Sequence, residues 1–250
     1  MLGTVAVVFF SVELGFRLAR YRKQRFGEET EAPIGGMVGA TLGLLAFMLA
    51  FTFGLAASRF DDRRQVVLDE ANAIGTTYLR AAMLSEPIRT ESRGLLREYV
   101  DVRLEAAQGG NVGQAISNSE QMHERLWSQA VAAAEKDRSP ITGLFIQSLN
   151  EVIDLHAKRV MVGLRSRVPG AIWIALYLLA LLSMAAMGYQ EGLSSTKRSI
   201  AALALVLAFS LVLILIVDLD RPGEGLLRVS QQSMIDLRNS MAVPGSGPQN

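Results

Sequence analysis

Long uncharged stretches alternate along the chain with segments in which apolar residues recur every three or four positions. Residues 34–57 carry no charge and are studded with glycine and phenylalanine. At about 1.5 Å rise per residue this helix is roughly 36 Å long, enough to cross a hydrocarbon core of about 30 Å. Residues 171–188 and 199–217 are similar runs. Residues 2–19 are long enough to span but contain Glu13 and Arg17, four apart on one helix face. They read as an interfacial ion pair, as charge facing a water-filled cavity, or as a sign that this segment does not span. An isolated charge at the bilayer centre costs about 2.5–3.5 kcal/mol on insertion scales. The basic residues Arg17, Arg20, Arg22, Lys23 and Arg25 follow the apolar stretch. A cleaved signal peptide carries its positive charges before it.

The pattern therefore predicts an all-α polytopic membrane protein. Its four transmembrane helices, at about 2–19, 34–57, 170–188 and 199–217, form two pairs, residues 1–57 and 169–217. Residues 58–168 are inserted between them. Four amphipathic helices are expected there, with stripes such as Val67, Ala71, Ile74 and Tyr78, then Leu95, Tyr99, Val102 and Ala106. Ile116, Leu126, Ala130 and Ala133 mark the third, and Phe145, Leu149, Val152 and His156 the fourth. Helices of this length bury their stripes as a bundle. The first bundle helix follows Ala57 with no Pro or Gly at the junction, and the last runs to Pro169, so the membrane helices are expected to continue into the bundle as rods. Residues 218–250 read as an Asp-Leu-Asp-Arg-Pro segment, a short amphipathic helix near 226–237 and a disordered tail over 243–250.

Charge bears on orientation. The short loops 20–33 and 189–198 hold Arg20, Arg22, Lys23, Arg25, Lys197 and Arg198, which favours the cytoplasm for them. The N-terminus, bundle and C-terminus then lie on the extracytoplasmic side. The formal net charge of +1 supplies no global field for nucleic acid, and no nucleic-acid partner is expected. With no cysteine there is no disulfide and no thiolate chemistry.

Several polar and small residues are candidates for function. Gly35, Gly39, Gly43, Ala46, Ala50 and Gly54 form a small-residue stripe on the second membrane helix, suited to close helix approach within one chain or between protomers. Phe47 and Phe51, one turn apart, either pack or face lipid, or form an apolar constriction when symmetry copies gather. His156 sits in the apolar stripe of the fourth bundle helix, as a satisfied core histidine or a titrating switch. Asp154 and Lys158 make an exposed pair four apart. Glu70, next to Asn72, lies within reach of the Val67 and Ile74 stripe and is expected to bond His156 or Arg159 across the bundle. Asp218 and Asp220 close the fourth membrane helix, where carboxylates oppose the helix dipole. Either Arg221 compensates them or they hold a cation at a pore mouth. No phosphate-binding glycine loop, His-Glu-x-x-His or Gly-x-Ser-x-Gly pattern occurs, so no enzyme, metal site or cofactor is expected.

The runs Phe60-Asp61-Asp62-Arg63-Arg64, Asp69-Glu70-Ala71-Asn72-Ala73-Ile74-Gly75-Thr76-Thr77-Tyr78-Leu79-Arg80, Arg97-Glu98-Tyr99-Val100-Asp101, Asn150-Glu151-Val152-Ile153-Asp154-Leu155-His156 and Asp218-Leu219-Asp220-Arg221-Pro222 resemble the bacterial bestrophin-like domain family of membrane proteins. The likeness spans nearly the whole chain. True bestrophins are pentameric anion channels with four membrane helices, a helical cytoplasmic part and an aromatic-apolar neck on the second helix. The resemblance implies that plan, with Phe47 and Phe51 at the neck, in a bacterial inner membrane. Two departures stand beside it. No acidic calcium-clasp run is present, and the basic short loops argue against a cytoplasmic insertion.

Taken together, these features predict a homo-oligomeric ion channel or pore whose second membrane helix lines the axis, with the lipid bilayer, further copies of itself and inorganic ions as partners. Glu70, Asp218 and Asp220 tilt the expected ion towards a cation. The alternative is a non-conducting sensor or scaffold whose bundle binds another protein.

Overall fold

The computed structural model describes residues 2–26, 31–194, 200–221 and 225–242. Lys197 and Arg198, Pro222 and the tail 243–250 lie outside them. The described residues are helical and contain no strand: α1 Leu2–Phe26, α2 Glu31–Ala81, α3 Ile88–Ala107, α4 Val112–Lys136, α5 Pro140–Val160, α6 Gly170–Leu193, α7 Ile200–Asp220 and α8 Gln232–Ser240. They divide into two compact units. One holds residues 1–60 and 167–227, the other residues 61–166 and 228–250.

In the first unit, α1 lies along α6 and also touches α7. Val8, Val38, Leu45, Leu49, Leu176, Met184, Leu213 and Ile216 make a continuous buried cluster that draws on α1, α2, α6 and α7. Three helices among the described residues are long and apolar enough to cross a membrane: Ile34–Ala81, Gly170–Leu193 and Ala202–Asp220. α1 does not meet that standard. Three of the four expected spans therefore stand on length and apolarity among the described residues.

The small residues that bring helices together here are not the ones in the predicted stripe. A Cβ on Gly15 would lie 2.0 Å from the carbonyl oxygen of Ala185, and one on Gly192 would lie 2.6 Å from that of Phe16. These glycines let the α1 and α6 backbones touch. By contrast, a Cβ on Gly39, Gly43 or Gly54 would meet nothing within 4 Å, and Gly35 would meet only the Gln190 side chain, at 3.1 Å. Within one chain, Gly39, Gly43 and Gly54 therefore stand in open space.

The second unit is a helical bundle. Ile74 and Tyr78 of α2, Leu96 and Tyr99 of α3, Leu126 of α4, Phe145 and Leu149 of α5, and Met234 of α8 form its core. Asn111 caps α4 by accepting from Gln114 N at 3.1 Å, and Ser139 with Pro140 starts α5. α8 begins later than the amphipathic stretch expected near 226–237, and Leu226 is exposed.

The expectation of continuous rods divides. α2 runs unbroken through 51 residues, because nothing in its sequence after Pro33 interrupts a helix. α5 instead ends at Val160 in a π-helical turn, Met161–Arg165, and Ser166 is extended at φ −83° and ψ 93°. Pro169 disfavours helical geometry at Val168 and cannot donate to a helix, so the chain leaves helix before α6.

Candidate functional site

Three groups of candidate residues occupy different surroundings. The first is the membrane part of α2. Its buried line is Val38, Leu45, Leu49, Thr52 and Ala56, spaced by sevens, threes and fours. The opposite side is open. Phe47 is 66% exposed and Phe51 60% exposed, and Gly39, Gly43, Ala46, Ala50 and Gly54 are exposed with them. This single chain therefore presents a broad apolar face on which small residues surround two phenylalanines.

The second group lies inside the bundle. Glu70 of α2 is fully buried. Arg159 of α5 donates to its Oε2, and Arg103 Nε of α3 faces its Oε1 at 3.2 Å as an ion pair outside hydrogen-bond geometry. The Tyr99 hydroxyl donates to Glu70 Oε1 at 2.7 Å and stands 3.0 Å from His156 Nδ1. A phenol has one proton, so His156 Nδ1–H donates to the Tyr99 oxygen and Nε2 carries the lone pair. That Nε2, like His123 Nε2, is buried without a hydrogen-bond partner. The His123 ring sits 5.0 Å from Tyr99 and 4.9 Å, edge-on, from His156, centroid to centroid.

Electrostatics follow from this packing. Burial alone would raise the Glu70 carboxyl, but Arg159 and Arg103 together hold it below its ordinary value. Burial, then the Glu70 charge, pushes the Tyr99 phenol well above its ordinary value. Burial lowers His123 to about 4, with Arg103 also lowering it against the pull of Glu70. His156 falls to about 4 as well, first through burial and then through Arg103 and His123. The core thus holds one carboxylate, two guanidinium groups and two neutral imidazoles.

Glu70 does bond Arg159 as expected, but it reaches His156 only through Tyr99. Two arginines already answer its charge. Asn72 and Asp154 are exposed and take no part.

The third group closes α7. Asp218 accepts from Leu226 N at 3.0 Å and Leu227 N at 2.9 Å, and Asp220 accepts from Val168 N at 2.7 Å. Neither expected answer, Arg221 or a cation, is needed, since backbone amides take both carboxylates. Gly225 makes the turn back possible. Its φ is +147°, and a Cβ there would lie 2.2 Å from Asp218 Oδ1. Glu13 and Arg17 pair on α1 at 2.7 Å, with the arginine side chain 76% exposed.

The membrane helices, the helical bundle and the chain's own sequence converge on one family. The Bestrophin-like domain model matches residues 3–234. The chain belongs to the Bestrophin-like family. Its fold agrees with solved members of the wider group. Two single-substitution variants of a bacterial bestrophin homologue from Klebsiella pneumoniae are 13% and 14% identical to it. They cover 95% of this chain and 97% and 98% of their own, at TM-scores of 0.67 and 0.66. A further membrane protein structure is 16% identical, covers 99% of this chain and 100% of its own, and has a TM-score of 0.66. At these identities the likeness is one of fold. No curated protein matches the chain.

Sequence reasoning missed Arg103 and His123 as members of the buried cluster. Arg103 stands four residues after Tyr99, on the same face, where an arginine in an apolar stripe signals a buried acidic partner. His123 lies between Ser119 and Leu126 on the buried face of α4.

Proposed function

We propose that this Bestrophin-like protein is a homo-oligomeric ion channel in which α2 lines a shared axis and Phe47 and Phe51 form the constriction. The open face of α2 supports this reading most. In a single chain a Cβ on Gly39, Gly43 or Gly54 would meet nothing within 4 Å, and two phenylalanines one turn apart stand exposed on it. Gathered copies would bring glycine against a neighbouring helix and turn phenylalanine to the centre. Rings of apolar side chains at close quarters gate by dewetting.

α1 serves as the fourth span in this arrangement. Its Glu13–Arg17 pair lies on one face of the helix four residues apart, and its backbone is sheltered against α6. Residues 58–168 form the extramembrane bundle, outside the cytoplasm, with loops 20–33 and 189–198 inside. The ring is closed, with five subunits by likeness to true bestrophins. The acidic residues that favoured a cation are engaged by arginine or backbone amides, so they carry no argument about the permeant ion.

The test is purified protein in planar bilayers. Unitary currents whose amplitude or gating changes in Phe51→Ala support the channel, and their reversal potential in a salt gradient reads the charge of the ion. Silence across salts, pH and voltage favours the scaffold reading. Orientation has its own check: Gln108→Cys reacts with an impermeant thiol reagent on intact cells if the bundle is outside.

A further inference from the structure

At one end of α6 and α7, Arg167, Trp173, Tyr177, Ile214, Asp220 and Arg221 border an open cavity of about 290 Å³. Trp173 and Tyr177 lie on the first turns of α6, with ring centroids 6.0 Å apart. An indole and a phenol at the start of a membrane helix mark the headgroup level of a bilayer. Arg167 precedes α6 and Arg221 follows α7, so two guanidinium groups from distant parts of the chain meet at that level. Both residues are exposed, and among the described residues neither guanidinium has a hydrogen-bond or ion-pair partner. Asp220 is 8% exposed and its Oδ1 is held by the Val168 amide, which fixes the floor of the cavity. The charge of the lining is therefore +1, two arginines against one aspartate. Ile214 adds an apolar wall.

We infer that this cavity binds a phosphate group carried by an anionic lipid headgroup, with Arg167 and Arg221 on the phosphate oxygens. Guanidinium groups form paired hydrogen bonds with phosphate that an ammonium cannot match. A phosphodiester carries one negative charge, which the lining balances. The aromatic pair lies against the glycerol level, and the apolar wall continues towards the acyl chains. A zwitterionic headgroup brings its own cation to the same place and gains less. The site needs only that these helices lie in a bilayer. It stands or falls independently of conduction.

The chain contains two tryptophans, so Trp127→Phe leaves Trp173 as the single reporter at the cavity. The full chain in phosphatidylcholine nanodiscs is titrated with dibrominated phosphatidylglycerol or dibrominated phosphatidylcholine, whose bromines quench indole fluorescence on contact. Half-maximal quenching is expected at about a fivefold lower mole fraction of the anionic lipid, the preference one net basic charge gives at an anionic surface. R167Q/R221Q abolishes that preference, while R167K/R221K keeps part of it; the Lys variant also shows that loss in the Gln variant is not misfolding. Millimolar inorganic phosphate that relieves quenching by the anionic lipid supports the same phosphate site with the free ion as a second source. Phosphate without effect assigns the site to lipid. Equal quenching by the two lipids in the arginine-bearing protein, or a preference that survives R167Q/R221Q, overturns the inference.

Discussion

Gly188 on α6 sits so close to Val12 on α1 that a Cβ there would lie 2.1 Å from the Val12 carbonyl oxygen. The obstructing atom is backbone, which cannot swing aside as a flexible side chain can. Gly188→Ala and Gly15→Ala are therefore expected to push α1 off α6 and destabilise the fold by at least the 1–3 kcal/mol typical of overpacking, about that or more. Thermal unfolding in mild detergent measures it. Gly43→Ala has open space around it and leaves the unfolding temperature of the single chain unchanged. If α2 faces its copies, the same substitution lowers the fraction of oligomer.

Glu70 is the single carboxylate set against Arg103 and Arg159. Glu70→Gln removes the counter-charge and strands two guanidinium groups. Breaking a buried ion pair from one side costs about 3–5 kcal/mol. A fall in unfolding temperature well beyond that of Asn72→Ala, at an exposed position on the same helix, is the expected result.

The two buried histidines make stability depend on pH in a defined direction. Each sits at about 4 in the fold against an ordinary 6.5, so the unfolded chain binds protons that the folded chain does not. Stability is full above pH 6.5 and declines as pH falls from there towards 4. Glu70, held below its ordinary 4.5, adds a further loss at lower pH with the same sign. Unfolding temperature measured from pH 7.5 to 4.5 should fall, and His123→Asn should flatten the slope between pH 6.5 and 5.

Asp218 and Asp220 act as backbone acceptors. Asp218→Ala leaves the Leu226 and Leu227 amides without their partner, and Asp220→Ala does the same to Val168. Each loss costs about 1–3 kcal/mol. Limited proteolysis should cut near Leu226 faster in Asp218→Ala. Added calcium should protect neither the parent nor the variants beyond the effect of equal ionic strength.

The helical character of the chain and its apolar runs were legible because they depend on local periodicity. α2 shows this best, as its uncharged run passes into the stripe of Val67, Ala71 and Ile74 with no helix breaker between. The partners of these helices were harder to read. Gly15, Gly188 and Gly192 are isolated in sequence and looked ordinary, while the regular stripe of Gly35, Gly39 and Gly43 drew notice, yet it is the former that lie against the backbone of another helix, and of the stripe only Gly35 has a neighbour, the Gln190 side chain. Spacing reports which residues share a face and is silent on what that face meets. The same limit applies to Asp218 and Asp220: their acidic pattern suggested a cation, but a turn at Gly225, far from any periodic signal, brings backbone donors to Asp218. The Glu70 to Arg159 pair was legible from charge and stripe position, but Tyr99 as the bridge to His156 required the third dimension.

The most direct measurement uses the absence of native cysteine. Phe51→Cys, reconstituted in planar bilayers, is exposed to a small, charged, membrane-impermeant thiosulfonate. If α2 lines an aqueous axis, unitary currents are present before the reagent and are blocked or reduced in amplitude after it, while Leu211→Cys, at an exposed position on α7, is indifferent to it. Currents untouched at Phe51→Cys, or a protein that never conducts, would contradict the placement of this face at a shared centre.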